Sequence, residues 1–447
     1  MPRRKFLSIS TALALQPAIE RRQCVVCGVQ QRGLERALFW FINETYSDGP
    51  TINKLVDSQG LCADHMRLLL APVNHSQVNF VCEYLTGYNL GLASGALRQA
   101  HRRIGLARLV AGRHGVGRAF VPSSDCPFCL DLRAWEGWAL GDLVDFAGDP
   151  EVATTSKYIC LPHALMLIPL VPADVAQALA EAVQARLKAI GTGDGCEPAR
   201  VAEFFLARYL RASRSTFLPA MAAELLSDAR LPASAVSMRL RPEETVTDPL
   251  DRDPLEGERC AVCRTALGAE ALPPEGEASA FCRPHARTLL AQAPIATVQQ
   301  LVEWAPRALE ERLAQRPRRW MKNIVKETSC PACRRGAQSI ASVLAAIEKA
   351  APARLAKARF CLPHLPLVLD RVSPEAAVTV LRAERDLLAS LHAELAEFAR
   401  KCDYRFHHEP MGSEVTAWLR AASVLTGCSP TDVAYQADVE VRQGRKA

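Results

Sequence analysis

Eight short pairs of cysteine and histidine punctuate the chain and restrict how it can fold. They are Cys24 and Cys27, Cys62 and His65, Cys126 and Cys129, Cys160 and His163, Cys260 and Cys263, Cys282 and His285, Cys330 and Cys333, and Cys361 and His364. Cys-x-x-Cys alternates with Cys-x-x-His from one end of the series to the other. Three thiols and an imidazole, delivered as two close pairs, are what a tetrahedral zinc ion takes. The pattern predicts four Cys₃His sites, each built from consecutive pairs that bracket one helical excursion. A crossed arrangement, the first pair sharing an ion with the third, would instead give sites of four cysteines and sites of two cysteines with two histidines. A set with no missing ligand is closed, and closed zinc sites are structural.

The rest of the chain reads as helix. Its 447 residues are 49% hydrophobic and 23% charged, ordinary for a globular protein. Alanine, leucine, arginine and glutamate outweigh β-branched and aromatic residues, so the predicted fold class is mainly α. Each metallated set carries one negative charge, so four sets lower the formal charge of +6 by four. Bulk charge is then little argument for a nucleic-acid partner. Free thiols beside zinc thiolates suit a reducing cytoplasm. The rival is twin-arginine export, suggested by Arg3-Arg4-Lys5-Phe6-Leu7. No uninterrupted apolar run is long enough to span a membrane. Cys82, Cys196, Cys402 and Cys428 stand outside the pairs and read as small core residues.

In chain order, residues 1–20 are expected to be a disordered basic start and 21–227 a first helical domain with two zinc sites. From Ser76 a helix is expected to turn Val81, Tyr84, Leu85, Tyr88 and Leu92 to one face. Residues 98–118 carry Arg98, Arg102, Arg103, Arg108, Arg113 and Arg118 with no acid among them. Pro172 opens an amphipathic helix. Residues 228–258 mix prolines, hydroxyl residues and acids without apolar period, and read as a flexible linker. Residues 259–440 form the second two-zinc helical domain. In it Ser373-Pro374-Glu375 caps a helix whose stripe is Leu381, Leu388, Leu391, Leu395 and Phe398. Trp418, Leu419 and Leu425 mark one more helix.

The two halves match in order. Cys24 and Cys260 open Cys-x-Val-Cys, Cys126 and Cys330 open Cys-Pro-x-Cys, and Cys160-Leu161-Pro162-His163 is identical to Cys361-Leu362-Pro363-His364. We read a tandem duplication of a two-zinc helical domain. With Lys401, Asp403, Tyr404, Arg405 and Phe406 after a long helix, the second half resembles an uncharacterised prokaryotic family of helical zinc-binding proteins. The metal pairs of the first half share that resemblance, but Arg208 to Phe217 lacks the Asp-Tyr-Arg segment. The resemblance implies zinc binding and carries no activity with it.

Other chemistries fit less well. None of Cys27, Cys129, Cys263 and Cys333 is followed by histidine, which excludes c-type haem attachment by that motif. Redox work of the thioredoxin kind needs a βαβ context, and the runs typical of iron–sulfur proteins are absent. There is no nucleophile elbow, phosphate loop or His-Glu-x-x-His helix, so no catalytic residue is assigned. The expectation is a non-enzymatic interaction or adaptor module with a protein partner. The alternatives are nucleic-acid binding through residues 98–118, and an enzyme centred on residues 403–409, where His407, His408 and Glu409 lie near Asp403.

Overall fold

The structure is a computed structural model, and it describes residues 7–70, 75–107, 116–192, 204–205, 260–263, 294–314 and 331–427. The expected linker, 228–258, lies outside the described residues, as do Cys196, Cys282, His285, Cys330 and Cys428. Among the described residues there are helices and no strand, in keeping with a mainly α fold. None of these helices is long and apolar enough to cross a membrane.

The contacts divide the chain into two compact units, and neither is a continuous half. Unit 1 takes Met1–Phe39, Phe128–Ser215 and Leu272–Arg334; unit 2 takes Trp40–Pro127, Thr216–Ala271 and Arg335–Ala447. This differs from the expected division at one linker, because each unit draws on both halves of the sequence.

Unit 1 begins with α1 (Ile9–Arg21), where a disordered start was expected. Ser8 accepts a hydrogen bond from the Thr11 amide and caps the helix. Thr11 in turn donates to the buried Asp142 at 2.5 Å. Ala14, Leu15 and Ala18 enter the core, so tertiary anchoring overrides the basic composition that suggested disorder. Next come α2 (Val25–Asn43), α6 (Pro127–Asp145), α7 (Pro150–Ser156), α8 (Leu161–Leu167), α9 (Ala173–Thr192) and α10 (Pro294–Leu313). The boundary with unit 2 falls within α2 and at the start of α6. α9 buries Leu179, Val183 and Leu187, and α10 adds Ala305 and Leu309 to the same core. α9 and α10 pack along one another.

Unit 2 contains α3 (Gly49–Asp57), α4 (Ala63–Leu69), α5 (His75–Ala107), most of α11 (Pro331–Lys349), then α12 (Pro352–Leu355), α13 (Leu365–Leu369), α14 (Pro374–Cys402) and α15 (Ala417–Thr426). Ser373 accepts from the Ala376 amide at 3.2 Å and Pro374 occupies the first turn, as the capping sequence requires. The expected stripe from Leu381 to Phe398 is buried. It packs along α5, where Asn79 donates to the Leu395 carbonyl at 3.0 Å. On α5, Val81 and Leu85 are buried, but Tyr84 and Tyr88 are exposed, against the expectation that all four share one face. At about 100° per residue, Tyr84 and Tyr88 turn to the side of Val81 away from the buried Val78, Cys82, Leu85 and Asn89.

Candidate metal centres

The described pairs sit at or just before helix starts. Cys24 precedes α2 and Cys27 lies in its first turn; Cys126 and Cys129 repeat this at α6. Cys62 and Cys160 are the N-caps of α4 and α8, both in extended backbone, with His65 and His163 in the first turns. A thiolate at a helix N-terminus faces unpaired amides and the positive end of the helix dipole, both of which favour its charge.

Three sets of four donors result, each with its ligating atoms within 4.8 Å of one another. They are Cys24, Cys27, Cys160 and His163; Cys62, His65, Cys126 and Cys129; and Cys260, Cys263, Cys361 and His364. The composition of three cysteines and one histidine is as expected, but the pairing is neither consecutive nor crossed. The first pair joins the fourth, the second joins the third, and the fifth joins the eighth. α2 runs 19 residues onward from Cys24, about 28 Å of helix, and so carries the chain away from the first pair. Cys282, His285 and Cys330 lie outside the described residues, as does the side chain of Cys333.

Metal–sulfur bonds of about 2.3 Å and metal–nitrogen bonds of about 2.0–2.1 Å put tetrahedral sulfurs about 3.8 Å apart, and sulfur and nitrogen about 3.5 Å apart. In the first set the Nδ1 of His163 stands 3.4 Å from Cys24 Sγ, 3.6 Å from Cys27 Sγ and 3.1 Å from Cys160 Sγ. Cys27 and Cys160 place their sulfurs 3.9 Å apart. In the second set His65 Nδ1 lies 3.1 Å from Cys62 Sγ and 3.5 Å from Cys126 Sγ. In the third, His364 Nδ1 lies 3.2 Å from both Cys263 and Cys361 and 3.7 Å from Cys260, with 3.5 Å between the sulfurs of Cys263 and Cys361. These are the edges of tetrahedra sized for a transition-metal ion, and every histidine contributes the same ring nitrogen. Burial alone would push the His163 imidazole down, yet the charges on Cys27 and Cys24 hold it well above its ordinary value. The donor set calls for a cation at its centre.

Two supporting residues escape the pair pattern. Glu136, buried on α6, places Oε1 3.1 Å from Nε2 of His163. A carboxylate on the second ring nitrogen fixes the tautomer that leaves Nδ1 free to bind metal. An acid flanked by the tryptophans of an apolar helix was the available sequence signal. The second is Gly427, which ends α15 in left-handed backbone at φ 74°. A Cβ there would stand 2.9 Å from Cys263 Sγ and 3.2 Å from Cys361 Sγ. Gly427→Ala is therefore expected to cost about 2 kcal/mol in backbone strain alone, and to expel or loosen the ion of the third set. Chelator competition should show one ion released at lower chelator concentration than in the wild type. Unchanged release of every ion would refute the contact.

Glu384 on α14 is buried, and its Oε1 has no hydrogen-bond partner. Burial pushes its carboxyl up to about 8, with the charge on Cys260 adding to the rise and Arg359 opposing it. An unfolded glutamate ionises near 4.5, so the folded state is increasingly penalised as pH rises between the two values. From pH 6 to 7.5 this group is expected to remove about 2 kcal/mol of stability. In Glu384→Gln that slope disappears, and its urea midpoint should draw ahead of the wild type as pH rises. A difference independent of pH would contradict the buried carboxyl.

The segment after α14 is held by ion pairs. Lys401 bonds Glu414 at 2.7 Å and the Pro410 carbonyl at 2.8 Å, and Arg400 bonds Glu397 at 2.7 Å and also pairs with Glu409. Asp403 pairs with Arg405 at 2.7 Å, which holds its carboxyl down at about 2. Tyr404 is exposed, and so is Cys402, against its reading as a core residue. Among the described residues, the metal-competent groups do not include His407, His408 or Glu409.

The fold and these sets define the class: an all-helical arrangement, among the described residues, with buried or half-buried sets of three cysteines and one histidine that can hold metal ions. Comparison with known proteins gave no matching family model, no similar curated protein and no similar solved structure. The resemblance to an uncharacterised helical zinc-binding family therefore rests on the residues quoted for it.

Proposed function

We propose that the chain is a zinc-stabilised, non-enzymatic interaction module of the cytoplasm, and that its ions are structural. The observation that carries the reading is the closed, buried donor set. Three thiolates and an imidazole leave a tetrahedral ion no position for substrate or water, and soft sulfur with imidazole selects zinc over magnesium or calcium. Four ions per chain is the full complement. With Cys260 and Cys263 joined to Cys361 and His364, the pairs Cys282–His285 and Cys330–Cys333 are left for one another, as Cys62–His65 and Cys126–Cys129 serve one another in the first half.

The same order supports a tandem duplication. α5 lies between the inner pairs of the first half, and α10 between those of the second. α9 and α14 follow the last pair of each half. In unit 1, α9 packs on α10; in unit 2, α14 packs on α5. Each unit thus joins an inner helix of one half to a final helix of the other.

Elemental analysis of reduced, purified protein should give about four zinc per chain. Two or fewer, or substantial iron, would overturn the metal assignment. Capture of partners from the native host with parallel metal analysis tests the adaptor role. A second reading, nucleic-acid binding through residues 98–118, is favoured by the exposure of Arg98, Arg102 and Arg118. A salt-dependent mobility shift of an oligonucleotide, lost when Arg98 and Arg102 are replaced, would support it.

A further inference from the structure

The outward face of α5 carries a pattern with no role in the metal sets. Phe80, Tyr84 and Tyr88 are exposed at successive turns, Gly91 follows them, and Arg98 and Arg102 stand exposed further along. Their spacing is symmetric about Gly91. Phe80 and Arg102 are each eleven residues from it, close to three turns; Tyr84 and Arg98 are each seven residues from it, close to two turns. All five therefore lie near one line along the helix. At the centre of that line a Cβ on Gly91 would meet nothing within 4 Å, so the backbone itself is open to approach. Phe80 is steadied from one side by Tyr46, edge-on at 5.4 Å between ring centroids.

A line with aromatics at one end and cations at the other, equidistant from an open centre, is complementary to its own reverse. Two such helices laid antiparallel about a two-fold axis at Gly91 bring Phe80 and Tyr84 each opposite a guanidinium, the arrangement of a cation–π pair. Glu83 lies about 80° round the helix from Gly91, on the flank of this face and off the seam. We propose that this face is a self-association surface on which a second copy packs antiparallel about Gly91. Phe80 and Tyr84 then lie against the partner's Arg102 and the partner's Arg98. The face is about 33 Å long and roughly 10 Å wide. That area is well below the roughly 800 Å² per partner of a standard interface, so the dimer is weak, with Kd on the order of 10 µM.

This goes beyond the adaptor reading and does not depend on it, since self-association is measured by sedimentation and not by partner capture. Full-length, metal-loaded protein should move from monomer to dimer in sedimentation equilibrium between about 1 and about 200 µM. A chain carrying Arg98→Glu and Arg102→Glu should associate at least about tenfold more weakly, and so should a chain carrying Phe80→Lys and Tyr84→Lys. Mixed in equal amounts, the two variants should recover the dimer. In the mixture one seam pairs glutamate with lysine and the other keeps the native aromatic–arginine contacts. Wild type that stays monomeric at the highest concentration overturns the proposal, as does a dimer that persists in both variants or variants that fail to rescue each other. A wild type that stays monomeric but binds oligothymidylate at low salt overturns it in favour of a nucleic-acid surface.

Discussion

Cys160→Ser will release one metal ion per chain and unfold the segments around it. Cys160 caps α8, and Leu161 and Ala164 beside it lie fully inside the core of unit 1, as does Ile159. Apparent zinc-binding free energies of roughly 10–16 kcal/mol are as large as the whole stability of a domain, about 5–15 kcal/mol. A serine oxygen replaces one thiolate only poorly, so the remaining three donors cannot hold both the ion and the fold. The same experiment reads the pairing. Cys24→Ser should release the same ion, so the double variant should lose no more zinc than either single one. Consecutive pairing requires the double variant to lose two. Metal content by elemental analysis and helicity by circular dichroism decide between these outcomes.

Trp418→Ala will cost about 3–5 kcal/mol, the second-largest effect expected of a single change. The indole is wholly buried, and its Nε1 donates to the Val415 carbonyl at 3.1 Å. Its own carbonyl accepts from the buried Cys82 thiol at 3.7 Å, on the α5 helix that α15 packs against. Truncation empties a large volume between α5 and α15 while leaving every ligand in place. Zinc content should therefore stay at the wild-type value while the thermal midpoint falls. Loss of an ion in this variant would mean that α15 and the ligands of the third set are not separable.

What the sequence made legible was local chemistry. The helices opened by Pro172 and Ser373-Pro374 start where expected, because a cap and a proline act within one turn. Pairing is not local: which pairs share an ion depends on where 19-residue helices carry them, and spacing along the chain holds no record of that. Orientation is a second limit. Val81, Tyr84, Leu85 and Tyr88 are all apolar enough for a core, and only the elements that pack around α5 settle which of them are covered. Glu136 and Gly427 matter through a ring nitrogen and two sulfurs far away in sequence, so neither carries a motif. The start of the chain misled through composition, since basic residues near Arg3 suggested disorder while Ser8, Thr11 and Asp142 tie α1 down.

Nesting of the ligand sets has a consequence for how the chain assembles. The outer set of the first half must close across the 132 residues between Cys27 and Cys160. Once the inner set has gathered Cys62, His65, Cys126 and Cys129, only the 34 residues before it and the 30 after it remain unfixed. Halving a loop in this way lowers its closure entropy by about 0.6 kcal/mol. The inner helices are also held in place before the outer pairs must find each other. Loading should run from the inside outward, so that the ion at Cys24 and His163 is the last to arrive on refolding and the first to leave when zinc is scarce.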